Sequence, residues 1–281
     1  MLYPVRPDVA EWLFEQSEVA MQTVRPPAVA GTFYPADQRQ LRAMIHGFLR
    51  DARPPGARPK AIIAPHAGYI YSGPIAASAY VHLQQARATL RRIVLVGPSH
   101  RVAFRGLALS SADAFSTPLG DIPLDRDAIA RLLALPFVQI LDRAHALEHS
   151  LEVHLPFLQE TLDQFSLVPI VVGDAEPEEV AQALDVLWDG DETAVVISSD
   201  LSHYHDYVTA RRMDRATSEA IEALSPEAIG VHGACGRLPV GGLLLEAGKR
   251  GLRAQTIDLR NSGDTAGGKD SVVGYGAYVF C

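Results

Sequence analysis

Four short apolar runs, each followed by a polar loop or a helix-type pattern, set the architecture of this chain. They are AIIAP (61–65), RIVLVGP (92–98), LVPIVVG (167–173) and AVVISS (194–199). A run that is apolar at successive rather than alternate positions belongs to a strand buried on both faces. Such strands, separated by helices, build a largely parallel sheet. Helical periodicity fills the intervals: PIAASAYVHLQQA after the first run, EEVAQALDVLW between the third and fourth, and segments 206–224 and 236–250 after the fourth. A helix is also predicted over 37–51 with Asp37 as its N-cap, and an extended loop over TVRPPAVAGTFYP ahead of it. RAQTIDL and VVGYGAYVF read as two closing strands. No repeat and no long linker interrupts the pattern. The expectation is a single α/β domain over residues 23–281, with a largely parallel or mixed central sheet flanked by helices. Residues 1–22 read as an N-terminal extension, either a short helix carrying Trp12, Leu13 and Phe14 or a mis-assigned start ahead of Met21.

Composition narrows the partners. A formal net charge of −8 over 281 residues argues against nucleic acid or an anionic membrane as the main partner. No apolar run reaches the roughly 18 residues needed to cross a bilayer. The N-terminus carries Asp8, Glu11 and Glu15 and lacks the pattern of a secretory signal. Two cysteines, Cys235 and Cys281, are too few for a disulfide framework, so a reducing cytoplasm is expected and any use of Cys235 is chemical.

Function is carried by position. His66 directly follows the first strand, His100 follows the second, and Asp200 and His203 follow the fourth in SSDLSHYHD. Open α/β sheets bind ligands beyond the carboxyl ends of their strands. Parallel strands would therefore bring these four side chains to one rim, where they can bind a metal or move protons. Cys235 precedes an apolar helical pattern, and a helix N-terminus favours the thiolate that binds metal. A small buried hydrophobe is the other reading of that residue. In EHSLEVHLPFLQ, Glu148, His149, Glu152 and His154 lie within seven residues without the HExxH spacing. If this stretch is helical, His149 and Glu152 share a face. The group then either orients the metal histidines from behind or forms a structural polar network. Tyr69 and Tyr71 are candidates to hydrogen-bond a substrate, or else pack on the loop. SGDTAGGKD does not match a phosphate-binding loop, and the absence of GxSxG makes a serine hydrolase a minor possibility.

Taken together and in order, PHAGYIYSG, VGPSH, EHSLEVHLPFLQ, SSDLSHYHDY and CGRLPVGGLL resemble the Memo-like family, also called AmmeMemoRadiSam system protein B. The resemblance runs from about Pro26 to Phe280. It implies a fold related to class III extradiol dioxygenases and a non-haem metal site ligated by His66, His100 and Cys235. Asp200 and His203 would line the same pocket, with His203 as general base and Asp200 as a fourth ligand or acid–base group. Iron is the implied metal, with copper or zinc as alternatives. A thiolate in place of the usual carboxylate softens the ligand field, so kinship with dioxygenases is an analogy and not evidence of ring cleavage. Three functions follow as expectations: redox or oxygenase-like chemistry on a small molecule; a peptide- or protein-binding module reusing the cleft, with Arg237 available to a phosphate; and a zinc hydrolase. The family name also suggests a radical-SAM partner.

Overall fold

The computed structural model describes residues 23–53, 56–188 and 190–281; the extension expected over residues 1–22 lies outside them. In chain order the elements are β1 (Val24–Arg25), α1 (Gln38–Asp51), β2 (Ala61–Ala64), α2 (Tyr69–Leu83), β3 (Arg92–Pro98), β4 (Leu107–Leu109), β5 (Ala114–Thr117), β6 (Gly120–Pro123) and α3 (Arg126–Leu132). They continue as β7 (Val138–Ile140), α4 (Asp142–Ala146), α5 (Leu155–Thr161), β8 (Ser166–Val172), α6 (Pro177–Leu187), β9 (Thr193–Ser198), β10 (His203–His205), α7 (Tyr207–Glu222), α8 (Arg237–Lys249), β11 (Ala254–Asn261) and β12 (Val272–Phe280).

The chain is an α/β protein with a mixed central sheet. The four apolar runs become β2, β9, β3 and β8, side by side and parallel in that order. Every residue of β2 and β9 is buried, as strands covered by helices on both faces require. Antiparallel strands complete both flanks: β12 pairs with β2 and carries β10 and β11, while β4 pairs antiparallel with β8 and in parallel with β7. Helix α1 begins where its sequence predicts. Asp37 accepts a hydrogen bond from the Gln40 amide, and Leu41, Ile45 and Leu49 bury one stripe of α1.

Two segments depart from expectation. Helix α2 starts at Tyr69, five residues before Pro74, so the proline lies inside the helix instead of opening it. Gly73 permits this packing, because a Cβ there would stand 2.5 Å from the Phe48 ring. The stretch 149–162 is not one helix. His149 and Ser150 lie in a turn, a 3-10 turn covers Glu152–His154, and only then does α5 begin.

Consequently Glu152 does not share a face with His149. It is almost wholly buried and receives the Arg25 guanidinium (2.6 Å), the amides of Ala28 (2.7 Å) and Val29 (2.9 Å), and the Tyr34 hydroxyl (2.6 Å). Arg25 also donates to the carbonyls of His145 and Glu148. This clamp ties the 23–35 segment to the turn that carries His149. Its loss strands the buried Arg25, the Val29 amide and the Tyr34 hydroxyl, so Glu152→Ala is expected to cost about 3–5 kcal/mol of stability in denaturant unfolding. A change below about 1 kcal/mol would show that the clamp is not structural.

Candidate metal centre

The parallel strands deliver what their order promised. β2, β9 and β3 end at one rim, and His66, Asp200 and His100 each follow a strand end by two residues. They line one cavity of about 820 Å³, together with His149, His203 and Cys235.

His66 is buried, and its ring is oriented by a short relay. Ser198 Oγ donates its only proton to the Ser150 carbonyl (2.6 Å), so it must accept from His66 Nδ1–H (2.6 Å). That fixes the tautomer and leaves Nε2 as the lone-pair nitrogen. Burial drives the His66 pKa well below its ordinary value, helped by the neighbouring histidines His100 and His149, so the ring is neutral. Nε2 lies 3.4 Å from Cys235 Sγ and 4.0 Å from Asp200 Oδ2.

His100 and His149 are held by Glu148. This carboxylate accepts from His100 Nδ1 (2.9 Å) and from the amides of His100 (2.6 Å), His149 (3.0 Å) and Ser150 (2.9 Å). Burial alone would raise its pKa, but the hydrogen bond and charge of His100 and the amide donors outweigh it and bring it to about 2. With Nδ1 engaged, His100 offers Nε2. A carboxylate behind a histidine is the arrangement that orients metal ligands and makes them more basic. The three rings converge, with centroids 5.1 Å apart for His66–His100, 5.5 Å for His66–His149 and 4.7 Å for His100–His149. One ligand nitrogen from each lies within 4.8 Å of the others. Burial lowers the His149 pKa to about 4, and its buried Nδ1 has no hydrogen-bond partner. Three imidazoles at this spacing fit a transition-metal ion, which can be held by these histidines.

Cys235 joins the site beside His66. Gly236 lets this turn press against the end of β9, since a Cβ there would stand 2.6 Å from the Ser198 carbonyl. The Asp200 amide donates to Cys235 Sγ (3.3 Å). The expected thiolate is corrected here: burial and the nearby Asp200 push the Cys235 thiol well up, so the metal-free protein holds a thiol. Desolvation outweighs the dipole of α8, whose first residue is Arg237. Burial likewise raises Asp200 to about 7, against the amides of His66 and Ala67. His203 donates from Nδ1 to the Leu201 carbonyl (2.8 Å), leaving Nε2 as a base, and burial lowers its pKa.

Other expected residues separate. Tyr71 lines the cavity, but Tyr69 does not: it is buried against Tyr34 and Phe157, and its hydroxyl donates to the Val153 carbonyl. His154 pairs through Nδ1 with the Tyr80 hydroxyl in the core, because the 3-10 turn points it inward. Glu152 serves the clamp described above. Arg237 is exposed and lies outside the cavity lining. His149, expected in a supporting place, lines the cavity beside His66 and His100, and the three could hold a metal ion together. Sequence reasoning missed Ser198 and the cavity wall formed by Phe33, Tyr204, Tyr275 and the arm from Ser262 to Ser271. The EHS triplet was the available signal for Glu148 and His149.

A sheet rim that gathers three histidines, a cysteine and a buried carboxylate defines a candidate metal-binding protein. The Memo-like protein family model matches residues 25–279, and the chain belongs to that family. Similar proteins include MEMO1 family proteins of Ignicoccus hospitalis (38% identical, covering 92% of this chain and 98% of that protein) and Aquifex aeolicus (35%; 92% and 99%). Another, from Methanopyrus kandleri, is 36% identical over 91% of this chain and 98% of that protein. Among solved structures, an uncharacterized protein from Escherichia coli K12 aligns with a TM-score of 0.47 and 16% identity, over 79% of this chain and 100% of that one. No helix among the described residues is long and apolar enough to cross a membrane.

Glu148 gives a pH prediction for the metal-free protein. Its folded pKa lies below the ordinary carboxylate value of 4.5, at about 2, so it stabilises the fold above the unfolded value and loses that contribution as pH falls towards 2. The contribution at neutral pH is about 3 kcal/mol. Glu148→Gln should therefore be less stable than wild type at pH 7, with the gap closing between about pH 5 and pH 2. A gap that stays constant across this range in denaturant titrations would contradict the charge-based role.

Proposed function

We propose that the cavity is a transition-metal centre for redox chemistry on a small organic molecule, with His66, His100 and Cys235 as ligands and His149 as an available fourth donor. Cys235 stands beside His66 but outside the 4.8 Å cluster of the three histidines, so its sulfur would have to close on His100 as the ion binds. The spacing of Cys235 Sγ and His66 Nε2, 3.4 Å, carries this reading. Two ligands at about 2.3 Å (S) and 2.0–2.1 Å (N) in a tetrahedral shell stand about 3.5 Å apart. Both fixed tautomers leave Nε2 free, which is the nitrogen a metal needs. Iron or copper suits an imidazole–thiolate set, and the bound ion would supply electron transfer and Lewis acidity.

The protein's own groups would do the rest. Cys235 gives up its proton on metal binding, which a cation beside the sulfur favours. His203 takes or returns a proton at Nε2, and Asp200, with its pKa near 7, exchanges one at neutral pH. Phe33, Tyr71 and Tyr275 give the cavity apolar walls that would hold an organic substrate and limit water. One observation favours a second reading: the three nitrogens within 4.8 Å form the donor set of a His₃ zinc hydrolase, with Cys235 a bystander. Nothing comparable favours a phosphopeptide site, since Arg237 is off the cavity and the net charge is −8.

Metal analysis of protein purified without added metal separates these readings. Iron or copper near one equivalent, lost in Cys235→Ala and His66→Ala, is the expected result. Zinc retained in Cys235→Ala and lost in His149→Ala would favour hydrolysis, and no bound transition metal would refute both. His203→Gln should keep the metal within about twofold, because His203 is assigned to proton transfer. Loss of metal in that variant would make it a ligand.

A further inference from the structure

Cys235 and His203 also line a second cavity, of about 430 Å³, whose other walls include His205, Met213 and His232. Five of its seven lining residues carry a metal-donor atom: three imidazoles, a thioether and a thiol. The whole chain holds ten His, four Met and two Cys in 281 residues. A seven-residue wall drawn at random would hold fewer than one, so the concentration calls for a cause.

The fold shows how these donors meet. In β10, His203 and His205 are half-buried while Tyr204 between them is exposed, so both histidines face the cavity. Asp206 caps α7, and Met213 sits on the second turn of that helix. His232 lies on the exposed turn that leads into Cys235. Among the described residues, the only three or more His, Cys, Asp or Glu side chains with ligand atoms mutually within 4.8 Å are His66, His100 and His149. The donors of the second cavity are therefore spread along it, which suits brief contacts with a passing ion more than tight retention. Thioether and imidazole donors select soft and borderline cations.

We propose that this cavity is the loading port of the metal centre: a soft transition-metal ion is taken up at His232, Met213 and His205 and passed to Cys235, which stands between the two cavities. The inference rests on the metal reading above. Transfer is ligand exchange without redox; with Cu(I) the ion stays in the +1 state, and Cys235 releases its thiol proton to solvent as the sulfur binds.

The test follows transfer of Cu(I) from a coloured bicinchoninate complex to the metal-free full chain by stopped-flow absorbance. Met213→Leu/His232→Asn should slow transfer at least tenfold and leave the equilibrium Cu(I) affinity within about threefold, while His46→Asn, on α1, should do neither. An unchanged rate in the double variant would overturn the port. So would an affinity that falls in proportion to the rate, since Met213 and His232 would then belong to the resident site. If wild type takes up no Cu(I), or any other transition metal, the metal reading itself fails and the port falls with it.

Discussion

The candidate centre depends on one buried carboxylate, that of Glu148. It gathers three amides and the His100 ring from two segments distant in sequence, the loop after β3 and the turn before α5. A buried acceptor with four charge-assisted donors is a strong organiser, because each donor left unpaired would cost about 1–3 kcal/mol. The Arg25–Glu152 clamp also anchors this turn, through the carbonyls of His145 and Glu148. His149 thus owes its place to two acidic residues that never meet the cavity. Ser198 does the same for His66 from the end of β9, so two acceptors, Glu148 and Ser198, set the three rings of the cavity.

Burial sets the electrostatics of the site without a metal. It lowers the basicity of His66, His149 and His203 and raises the pKa of Asp200 and of the Cys235 thiol. Each of these groups is pushed towards its neutral form, which is the cheap state in a dry pocket. A cation reverses that preference at once. It favours the thiolate and the carboxylate, and it takes up lone pairs that the neutral histidines already present. In the proposed centre, binding of a cation would therefore be coupled to release of protons from Cys235 and Asp200.

Much of this was legible in the sequence, for a physical reason. Strands buried on both faces are apolar at every position, so β2, β3, β8 and β9 stand out as runs, and parallel order puts their following residues on one rim. His66, His100, Asp200 and His203 could be brought together on that basis. The region from β4 to β7 was silent because its strands are three or four residues long, too short for any alternation to register. Tyr69 looked available because the helix was expected to begin at Pro74; starting α2 earlier turns its hydroxyl into the core. The direction of His149 was not legible for a related reason: it depends on the turn built by Glu148, and that turn is made by tertiary hydrogen bonds, not by local periodicity. The thiolate of Cys235 was expected from the α8 dipole alone, whereas the depth of the sulfur decides its charge.

X-ray absorption at the metal edge reads the ligand shell of the proposed centre. Two or three nitrogen scatterers at about 2.0–2.1 Å and one sulfur at about 2.3 Å are expected, with the sulfur contribution lost in Cys235→Ser. A first shell made only of light nitrogen and oxygen scatterers in the wild-type protein would contradict the assignment of Cys235 as a ligand.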